Sequence, residues 1–339
     1  MSKIIVEVDV HNRDEPHFFE GTRAFYRCLV SQPENVPENT FIDGGDHFHR
    51  SRPSPTEYGL FYEELERKLR FGRKIFIRGN HDRASPSDGT SEEETNSIDP
   101  LAAHGIEIVL EQTSIKIGKL NVVLLPYQHD YKLSNGEKVE KSCFYETVIT
   151  NACESLTPGI CIYHFPDETQ PMFGKARGVD LSYLASAGWR LIGADIHLQS
   201  DRYVGPPRPT RADEAGQRGR IAIIDDQTGE VEYRSCPMFL DFIRVRYGDR
   251  IKKNDEGETL LIIEDAPSTD DAYDMYGKEN VWDVKLKTFE ERSEEMAADV
   301  KDLSARTFEQ HKRAFYEERS IDTEVQKLVD EALLVGDER

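Results

Sequence analysis

The chain has 339 residues, of which 37% are hydrophobic and 32% are charged, a composition typical of a soluble globular protein with a large core. Its formal net charge of -21 opposes binding to nucleic acid, unless the acidic residues lie away from the binding groove or a partner supplies positive charge. No apolar stretch has the length of a transmembrane helix or follows Met1 as a secretory signal would, so we expect a cytoplasmic protein that does not contact membranes.

The first two-thirds of the chain alternates apolar, strand-like runs with helical patterns. Residues 3–10 predict a buried strand, and residues 22–29 and 57–69 predict helices. Further β-rich runs follow at 74–77, 106–110, 114–117, 121–125, 159–163, 189–192 and 220–224. Strands that alternate with helices and then cluster predict an α/β sandwich, in which two mixed sheets are flanked by helices in four layers.

The pattern changes near residue 235. Residues 236–290 contain short β-like runs, which predict a small α+β capping subdomain after a main domain at 1–235. Residues 291–339 are highly charged and carry apolar side chains at helical spacing. They predict C-terminal helices with apolar faces.

Side chains that commonly bind metals follow five of the apolar runs, each at the carboxyl end of a predicted strand. They are Asp9 and His11, Asp46, Asn80 and His81, His164, and Asp195 and His197. Ligands bind at this edge of open α/β sheets, and a two-metal hydrolase needs about eight oxygen or nitrogen ligands with one carboxylate between the ions. Any one of these residues alone could have an ordinary structural role, but the set in this order favours a metal centre. His47, beside Asp46, is expected to face outward.

The order D-x-H, G-D, G-N-H-D, H and x-x-H resembles the calcineurin-like metallophosphoesterase superfamily, with residues 79–82 (GNHD) as the most specific element. Residues 45–54 (GDHFHRSRPS) resemble the G-D-x-F-H-x-x-x-P-S stretch of the SbcD-type double-strand-break repair nucleases, the meiotic recombination eleven family. Residues 203–207, followed by Arg218 and Gly219, resemble a later segment of that family. The resemblance is good over residues 1–235 and loose beyond them, and the chain length is closest to that of the nuclease subunit of T-even-type phages.

The resemblance implies a site with two divalent ions, Mn²⁺ in most members and Mg²⁺ as the alternative. One ion would be held by Asp9, His11 and His197, the other by Asn80, His164 and residue 195, with Asp46 between them. His81 would protonate the leaving sugar oxygen or orient the phosphate, and His49 would assist. A turn-capping role for His81, and a purely structural one for His49, are the ordinary alternatives.

One residue departs from the family pattern. Where the family has G-H-x-H, this chain has Ala194-Asp195-Ile196-His197, so that Asp195 stands in place of a ligand histidine. A carboxylate also binds hard divalent ions. The sequence therefore leaves two outcomes open: an active enzyme with altered metal preference, or a site whose second metal is weakened.

The resemblance further implies hydrolysis of phosphodiester bonds in DNA by an exonuclease, with endonuclease activity as an option. Arg50, Arg52 and Arg83 flank the motifs and are candidates for contacts with DNA phosphates. The C-terminal helices would bind the coiled-coil base of an SbcC-type ATPase, and the nuclease domain would form a homodimer. Two alternatives stay open: a phosphatase or small-molecule phosphodiesterase of the same fold, and a metal-impaired subunit that serves as a scaffold for the ATPase.

Overall fold

The computed structural model describes residues 2–83, 96–128, 149–150, 153, 156–166, 179–211, 214–252, 255 and 257–286. The partner-binding helices predicted for residues 291–339 lie outside this part of the chain. No helix within it is long and apolar enough to cross a lipid bilayer.

The first sheet has six strands and is mixed. Its strands are β1 (Lys3–Glu7), β2 (Thr40–Asp43), β3 (Arg73–Ile77), β4 (Glu107–Val109), β9 (Arg220–Asp225) and β10 (Val231–Ser235). They lie in the order β10-β9-β1-β2-β3-β4. The four strands from β1 to β4 are parallel, and β9 runs antiparallel to both of its neighbours. The carboxyl ends of β1, β2 and β3 therefore meet at one edge.

The second sheet has four strands, β5 (Thr113–Ile117), β6 (Leu120–Leu125), β7 (Ile160–His164) and β8 (Arg190–Ala194). The hairpin of β5 and β6 is antiparallel, whereas β6, β7 and β8 are parallel. All the residues of β7 are buried, as expected for a central parallel strand covered on both faces.

The helices lie on the outer faces of these sheets. They are α1 (Pro16–Val30), α2 (Pro55–Leu60) and the short α3 (Ser182–Ser186). Helix α2 begins with a capping box formed by Ser54 and Glu57 and continues as a π-helical turn (Phe61–Leu65) and a 3₁₀ turn (Glu66–Lys68). The regular helix predicted over residues 57–69 is thus three helical forms in succession, which keep Phe61 and Leu65 buried. Another 3₁₀ turn, Asp99–His104, precedes β4.

Three apolar cores separate four layers. Helices α1 and α2 pack on the first sheet through residues such as Phe25, Leu29 and Phe41. The two sheets pack face to face, and the outer face of the second sheet is covered by a core that includes Leu184 and Trp189. The four-layer sandwich predicted from the sequence is therefore confirmed.

A third sheet follows the sandwich in the chain. It contains β11 (Leu240–Arg246), β12 (Glu258–Ala266) and β13 (Val281–Leu286), all parallel, with helix α4 (Thr269–Tyr276) and the 3₁₀ turn Lys278–Asn280 between β12 and β13. Phe18 of α1 packs against Leu240 and Phe242, so this sheet is anchored on the first helix of the sandwich. Whether residues 236–290 are an independent subdomain stays a prediction.

Candidate metal centre

The predicted ligands follow strands of both sheets. Asp9 and His11 follow β1, Asp46 follows β2, Asn80 and His81 follow β3, His164 ends β7, and Asp195 and His197 follow β8. Because β1, β2 and β3 are parallel to one another, as are β7 and β8, their carboxyl ends lie together in each sheet. The structure brings all the predicted metal ligands into one site between the two sheets.

The backbone at this site is strained. In the described part of the chain, five residues other than glycine have a left-handed backbone, and four of them are predicted ligands: Asp9 (φ 53°), His11 (φ 47°), Asp46 (φ 57°) and Asp195 (φ 73°). Such conformations cost roughly 1–3 kcal/mol each and concentrate at functional sites. With this backbone conformation just after the strands, the ligand side chains converge on one site.

Two glycines of the motifs permit a close approach of main chain and ligands. Gly45 has φ 110°, and a Cβ there would collide with the His164 ring. A Cβ on Gly79 would collide with the backbone nitrogen and carboxylate of Asp46. The two positions therefore require glycine for different reasons, one for backbone conformation and space and the other for space.

The first ligand group consists of Asp9, His11 and His197, whose ligand atoms lie within 4.8 Å of one another. The two imidazoles face each other, with 3.1 Å between their Nε2 atoms. Burial lowers the pKa of His11 well below its usual value, and the positive charge of neighbouring groups adds to this effect. His11 is therefore neutral and offers a lone pair, as a metal ligand must.

The second ligand group surrounds the side-chain amide of Asn80. One terminal atom of this amide, placed as the oxygen, lies 3.1 Å from His164 Nε2, 3.1 Å from Asp195 Oδ1 and 3.0 Å from Asp46 Oδ2. If the amide nitrogen occupied this place, its two N–H groups could donate to only two of the three atoms. If the amide oxygen occupies it, the lone pairs of all four groups converge, which favours a cation among them. Asp195 thus occupies the ligand position that its place in the sequence predicts.

Asp46 lies between the two groups. Its Oδ2 atom is 3.7 Å from His11 Nε2 and 3.4 Å from His164 Nε2, while Oδ1 accepts the backbone N–H of His81 at 2.8 Å. Asp82 holds this arrangement from behind, because its Oδ2 accepts the backbone N–H groups of both Asp46 and Gly79 at 2.9 and 2.8 Å. The geometry is that of a carboxylate that can bridge two ions.

The donor set fits two divalent cations. Imidazole nitrogens, carboxylates and an amide oxygen suit hard to borderline ions such as Mn²⁺ and Mg²⁺. The Nδ1–H of His164 donates to the carbonyl of Gly44 at 2.9 Å, which leaves Nε2 as the atom that faces Asn80 and Asp46. When bound, such ions would activate water and neutralise charge on phosphate oxygens.

His81 and His49 lie beside the first ligand group. Their rings are stacked with centroids 5.3 Å apart, and the His81 ring is 4.8 Å from the ring of His11. His81 Nδ1 donates to the carbonyl of His49 at 2.7 Å, which leaves Nε2 as the atom that can exchange a proton. Burial, and then the positive charge of Arg13 and other neighbours, lowers the pKa of His49 to about 4, so that it is neutral near pH 7.

His47 is fully buried, so the expectation that it faces outward is wrong. Its Nδ1 contacts Asp43 Oδ2 at 2.5 Å, its Nε2 contacts the Tyr26 hydroxyl at 2.8 Å, and Glu7 lies 3.8 Å away. His47 lies on the side of helix α1, where its ring stacks on that of Tyr26 with the centroids 5.8 Å apart. His47 is thus part of a buried polar network behind the site.

Two residues of the loop between β8 and β9, Thr210 and Glu214, escaped the sequence analysis. The Glu214 carboxylate and the Thr210 hydroxyl both contact Nδ1 of His197. Glu214 is only 4% exposed, and a buried glutamate in a loop is the one feature that could have drawn attention to it. Burial itself, however, is not visible in the sequence.

The three arginines predicted to contact DNA differ in exposure. Arg50 and Arg52 are exposed, and Arg50 is within 4.0 Å of Asp14, Glu15 and Glu57. Arg83 is only 8% exposed. Contacts of these side chains with DNA stay a prediction.

Known proteins give an independent comparison. A family described as calcineurin-like phosphoesterase matches residues 3–181. Among solved structures, the chain is similar to an archaeal phosphodiesterase at 16% identity, with 69% of this chain and 99% of that chain covered and a TM-score of 0.34. It is also similar to a protein of unknown function from Aquifex aeolicus at 15% identity, with 48% and 77% of the two chains covered and a TM-score of 0.27. No curated protein sequence matches the chain.

The matched family segment includes β1, β2, β3 and β7, and with them every predicted ligand except Asp195 and His197. Its activity is the metal-dependent hydrolysis of phosphoesters, for which the clustered His and Asp side chains provide suitable ligands. Since the family match covers more than half of the sequence, this chain belongs to the calcineurin-like phosphoesterase family.

Proposed function

We propose that this phosphoesterase is a DNA nuclease of the SbcD type that hydrolyses phosphodiester bonds with two divalent ions, Mn²⁺ being the preferred ion. The observation that carries the proposal is the place of His49. The stretch at residues 45–54 that resembles the repair nucleases contains both Asp46 and His49, and His49 stacks on His81 beside the ligand His11. The stretch that resembles the repair nucleases thus contributes side chains directly to the site.

The chemistry assigned to the side chains follows from their contacts. Asp46, Asn80 and the imidazole ligands would hold the ions, and the ions would bind the phosphate oxygens. His81, fixed through Nδ1 by the carbonyl of His49, offers Nε2 to protonate the leaving sugar oxygen or to orient the phosphate. His49 holds His81 in place with its carbonyl and its ring.

The local charge supports a polyanionic substrate despite the net charge of -21. Arg13, Arg50 and Arg208 all lie within electrostatic range of His49. Arg208 is 1% exposed and donates to the Thr22 hydroxyl and the His11 carbonyl, neutral groups that leave its positive charge in place. These arginines, together with the cations that the site would hold, would attract phosphate where the protein as a whole repels it.

The partners belong to the same proposal. The C-terminal residues 291–339 would bind an SbcC-type coiled-coil ATPase, and the nuclease domain would form a homodimer. The cleavage of DNA by the complex would serve the repair or recombination of double-strand breaks.

The decisive experiment measures cleavage of linear duplex and single-stranded DNA with added Mn²⁺ by the wild type, by His81→Ala and by a control, His17→Ala. His17 is a partly exposed histidine that pairs with Glu258 on the third sheet. We expect Mn²⁺-dependent cleavage that falls by about 10²- to 10⁴-fold in His81→Ala, the range of general acid catalysis. The control should cleave as the wild type does, and both variants should retain their bound metal.

The same preparations, assayed on a small phosphodiester, nucleotides and a phosphoprotein, test the enzymatic alternative. A wild type that hydrolyses these substrates and leaves DNA intact, with and without the ATPase, would refute the nuclease proposal and favour a phosphodiesterase or phosphatase. Asp195 is the specific observation behind the third candidate, a metal-impaired scaffold. Metal content below two ions per chain, with no cleavage of any substrate, would favour that candidate.

A further inference from the structure

The loop between β8 and β9 supports the side chain of His197 from behind. The Thr210 hydroxyl lies 2.9 Å from His197 Nδ1 and 3.0 Å from Glu214 Oε1, and the Glu214 carboxylate also contacts Nδ1 directly. The backbone N–H of Thr210 donates to the other oxygen of Glu214 at 2.6 Å. With Thr210 and Glu214 each 4% exposed and His197 9% exposed, these contacts are shielded from water.

The contacts determine which nitrogen of His197 can bind a cation. The Glu214 carboxylate accepts, so Nδ1 carries a hydrogen, and in the neutral ring, the form that binds a cation, the lone pair is on Nε2. That atom lies 3.1 Å from Nε2 of His11, on the side of the site. A carboxylate behind a ligand imidazole fixes the orientation of the ring and raises its basicity, and the loss of such a partner commonly weakens metal binding 10- to 100-fold.

The same loop holds the main chain of both imidazole ligands. Gln217 Nε2 donates to the carbonyl of His197 at 2.5 Å, and Arg208 Nη2 donates to the carbonyl of His11 at 3.1 Å. Arg13 in turn donates to the carbonyl of Thr210 at 2.5 Å. The loop is therefore connected to the first ligand group at several points, and Glu214 is the charged side chain among them that contacts a ligand ring.

We propose that Glu214, assisted by Thr210, is a positioning residue that sets the affinity of the metal position formed by Asp9, His11 and His197. The inference rests on the proposed function, in that His197 must be a metal ligand. It also predicts that loss of Glu214 affects this position and not the other. The Nδ1 atom of the other imidazole, His164, contacts the main-chain carbonyl of Gly44, whereas that of His197 contacts a carboxylate. Loss of Glu214 should weaken one of the two metal positions.

The test measures Mn²⁺ binding to the full chain by calorimetry and by electron paramagnetic resonance of free Mn²⁺. Glu214→Ala should weaken one of two positions by about 10- to 100-fold. Glu214→Gln keeps an oxygen that can accept from Nδ1, so its loss should be smaller, and Thr210→Val provides a third variant if Glu214→Ala fails to fold. The matched control is Glu258→Gln, which alters an exposed glutamate that contacts His17 Nδ1 at 2.6 Å on the third sheet and should leave Mn²⁺ binding unchanged.

The outcomes separate this inference from the proposed function. Selective weakening of one position in Glu214→Ala, with partial rescue in Glu214→Gln and unchanged thermal unfolding of the metal-free chain, supports the positioning role. Equal weakening of both positions together with a lower unfolding temperature would overturn it and indicate a role in folding alone. If His197→Ala loses one ion but Glu214→Ala binds both normally, only this inference fails. If His197→Ala binds as many ions as the wild type, the proposed ligand set fails as well.

Discussion

The two groups of predicted metal ligands, which would form two metal positions, differ in what supports their imidazoles. The Nδ1–H of His164 donates to the main-chain carbonyl of Gly44, at the end of β2, and His164 is itself the last residue of a fully buried strand. His197 follows β8 and has its Nδ1 against two side chains of a loop, Glu214 and Thr210. The imidazole of one position is thus held by the backbone, whereas the imidazole of the other is held by side chains that a single substitution can remove.

This difference indicates how the site can be tuned. A main-chain carbonyl is present whatever residue occupies the position, so the support of His164 changes only if the local backbone moves. A carboxylate can be shortened, neutralised or removed, so the support of His197 can change without disturbing the sheets. Some variants should affect metal binding at both positions and others at only one. Comparing them tests whether the two positions bind metal independently.

The largest effect is expected from the carboxylate that belongs to both positions. Asp46→Ala removes the oxygen that lies 3.7 Å from His11 Nε2 and 3.4 Å from His164 Nε2. We expect both ions to be lost and hydrolysis of a phosphodiester to fall at least about a thousand-fold, more than the loss of one transition-state donor usually costs. Metal analysis of the dialysed protein and steady-state hydrolysis rates measure the two effects.

Asp226→Ala is the matched control for this change. Asp226 is also a buried aspartate, but it contacts Ser2 and Gln227 and no predicted ligand. Its replacement should leave metal content unchanged whatever it does to stability. Retention of one tightly bound ion in Asp46→Ala would show that the carboxylate does not bridge the two positions.

An intermediate effect is expected from Gly45→Ala, which perturbs the position whose imidazole is held by the backbone. The new Cβ would collide with the His164 ring, and alanine at φ 110° is strained by roughly 1–3 kcal/mol. We expect a lower free energy of unfolding and selective loss of the ion on the side of His164, measured by denaturant titration and Mn²⁺ binding.

Gly59→Ala is the control, because nothing lies within 4 Å of a Cβ at that helical position, and it should stabilise the chain by about 0.5–1 kcal/mol. If Gly45→Ala instead lost the ion beside His197, the conclusion that Gly45 supports the position of His164 would be wrong.

The main elements of the fold, and the clustering of the candidate ligands, could be predicted from local patterns. Each predicted ligand follows an apolar run, and parallel strands necessarily bring such ends together. Gly79 stands beside the candidate ligand Asn80 in the sequence, and a glycine at such a place commonly marks a close approach of the main chain. Such features depend on residues that are neighbours in the sequence, and the sequence displays them directly.

The features that escaped prediction depend on distant contacts or on backbone conformation. Glu214 reaches His197 only because an irregular loop folds back, and no periodic pattern marks that path. His47 is buried because its ring packs between helix α1 and β3, against Tyr26 and Phe76, and its neighbours in the sequence do not reveal these contacts. The helix predicted over residues 57–69 changes form at Phe61, where packing against the sheet overrides the regular period. In each case the tertiary structure decides what the local sequence leaves open.

The smallest effect is expected from Asp195→His, which restores the imidazole of the family pattern. Asp195 Oδ1 lies 3.1 Å from the terminal amide atom of Asn80, so an imidazole here would replace a hard oxygen ligand with a nitrogen. Nitrogen ligands favour Co²⁺ and Zn²⁺ over Mn²⁺ and Mg²⁺, so the preference of this position should shift toward the softer ions by about tenfold. Competition between Mn²⁺ and Co²⁺ measures the shift, and Asp195→Asn, which keeps an oxygen ligand, is the control.

If Asp195→His instead raises the number of bound ions from one to two and creates cleavage that the wild type lacks, then the native site is metal-impaired. The chain would then act as a scaffold, and the two positions would differ in occupancy as well as in support.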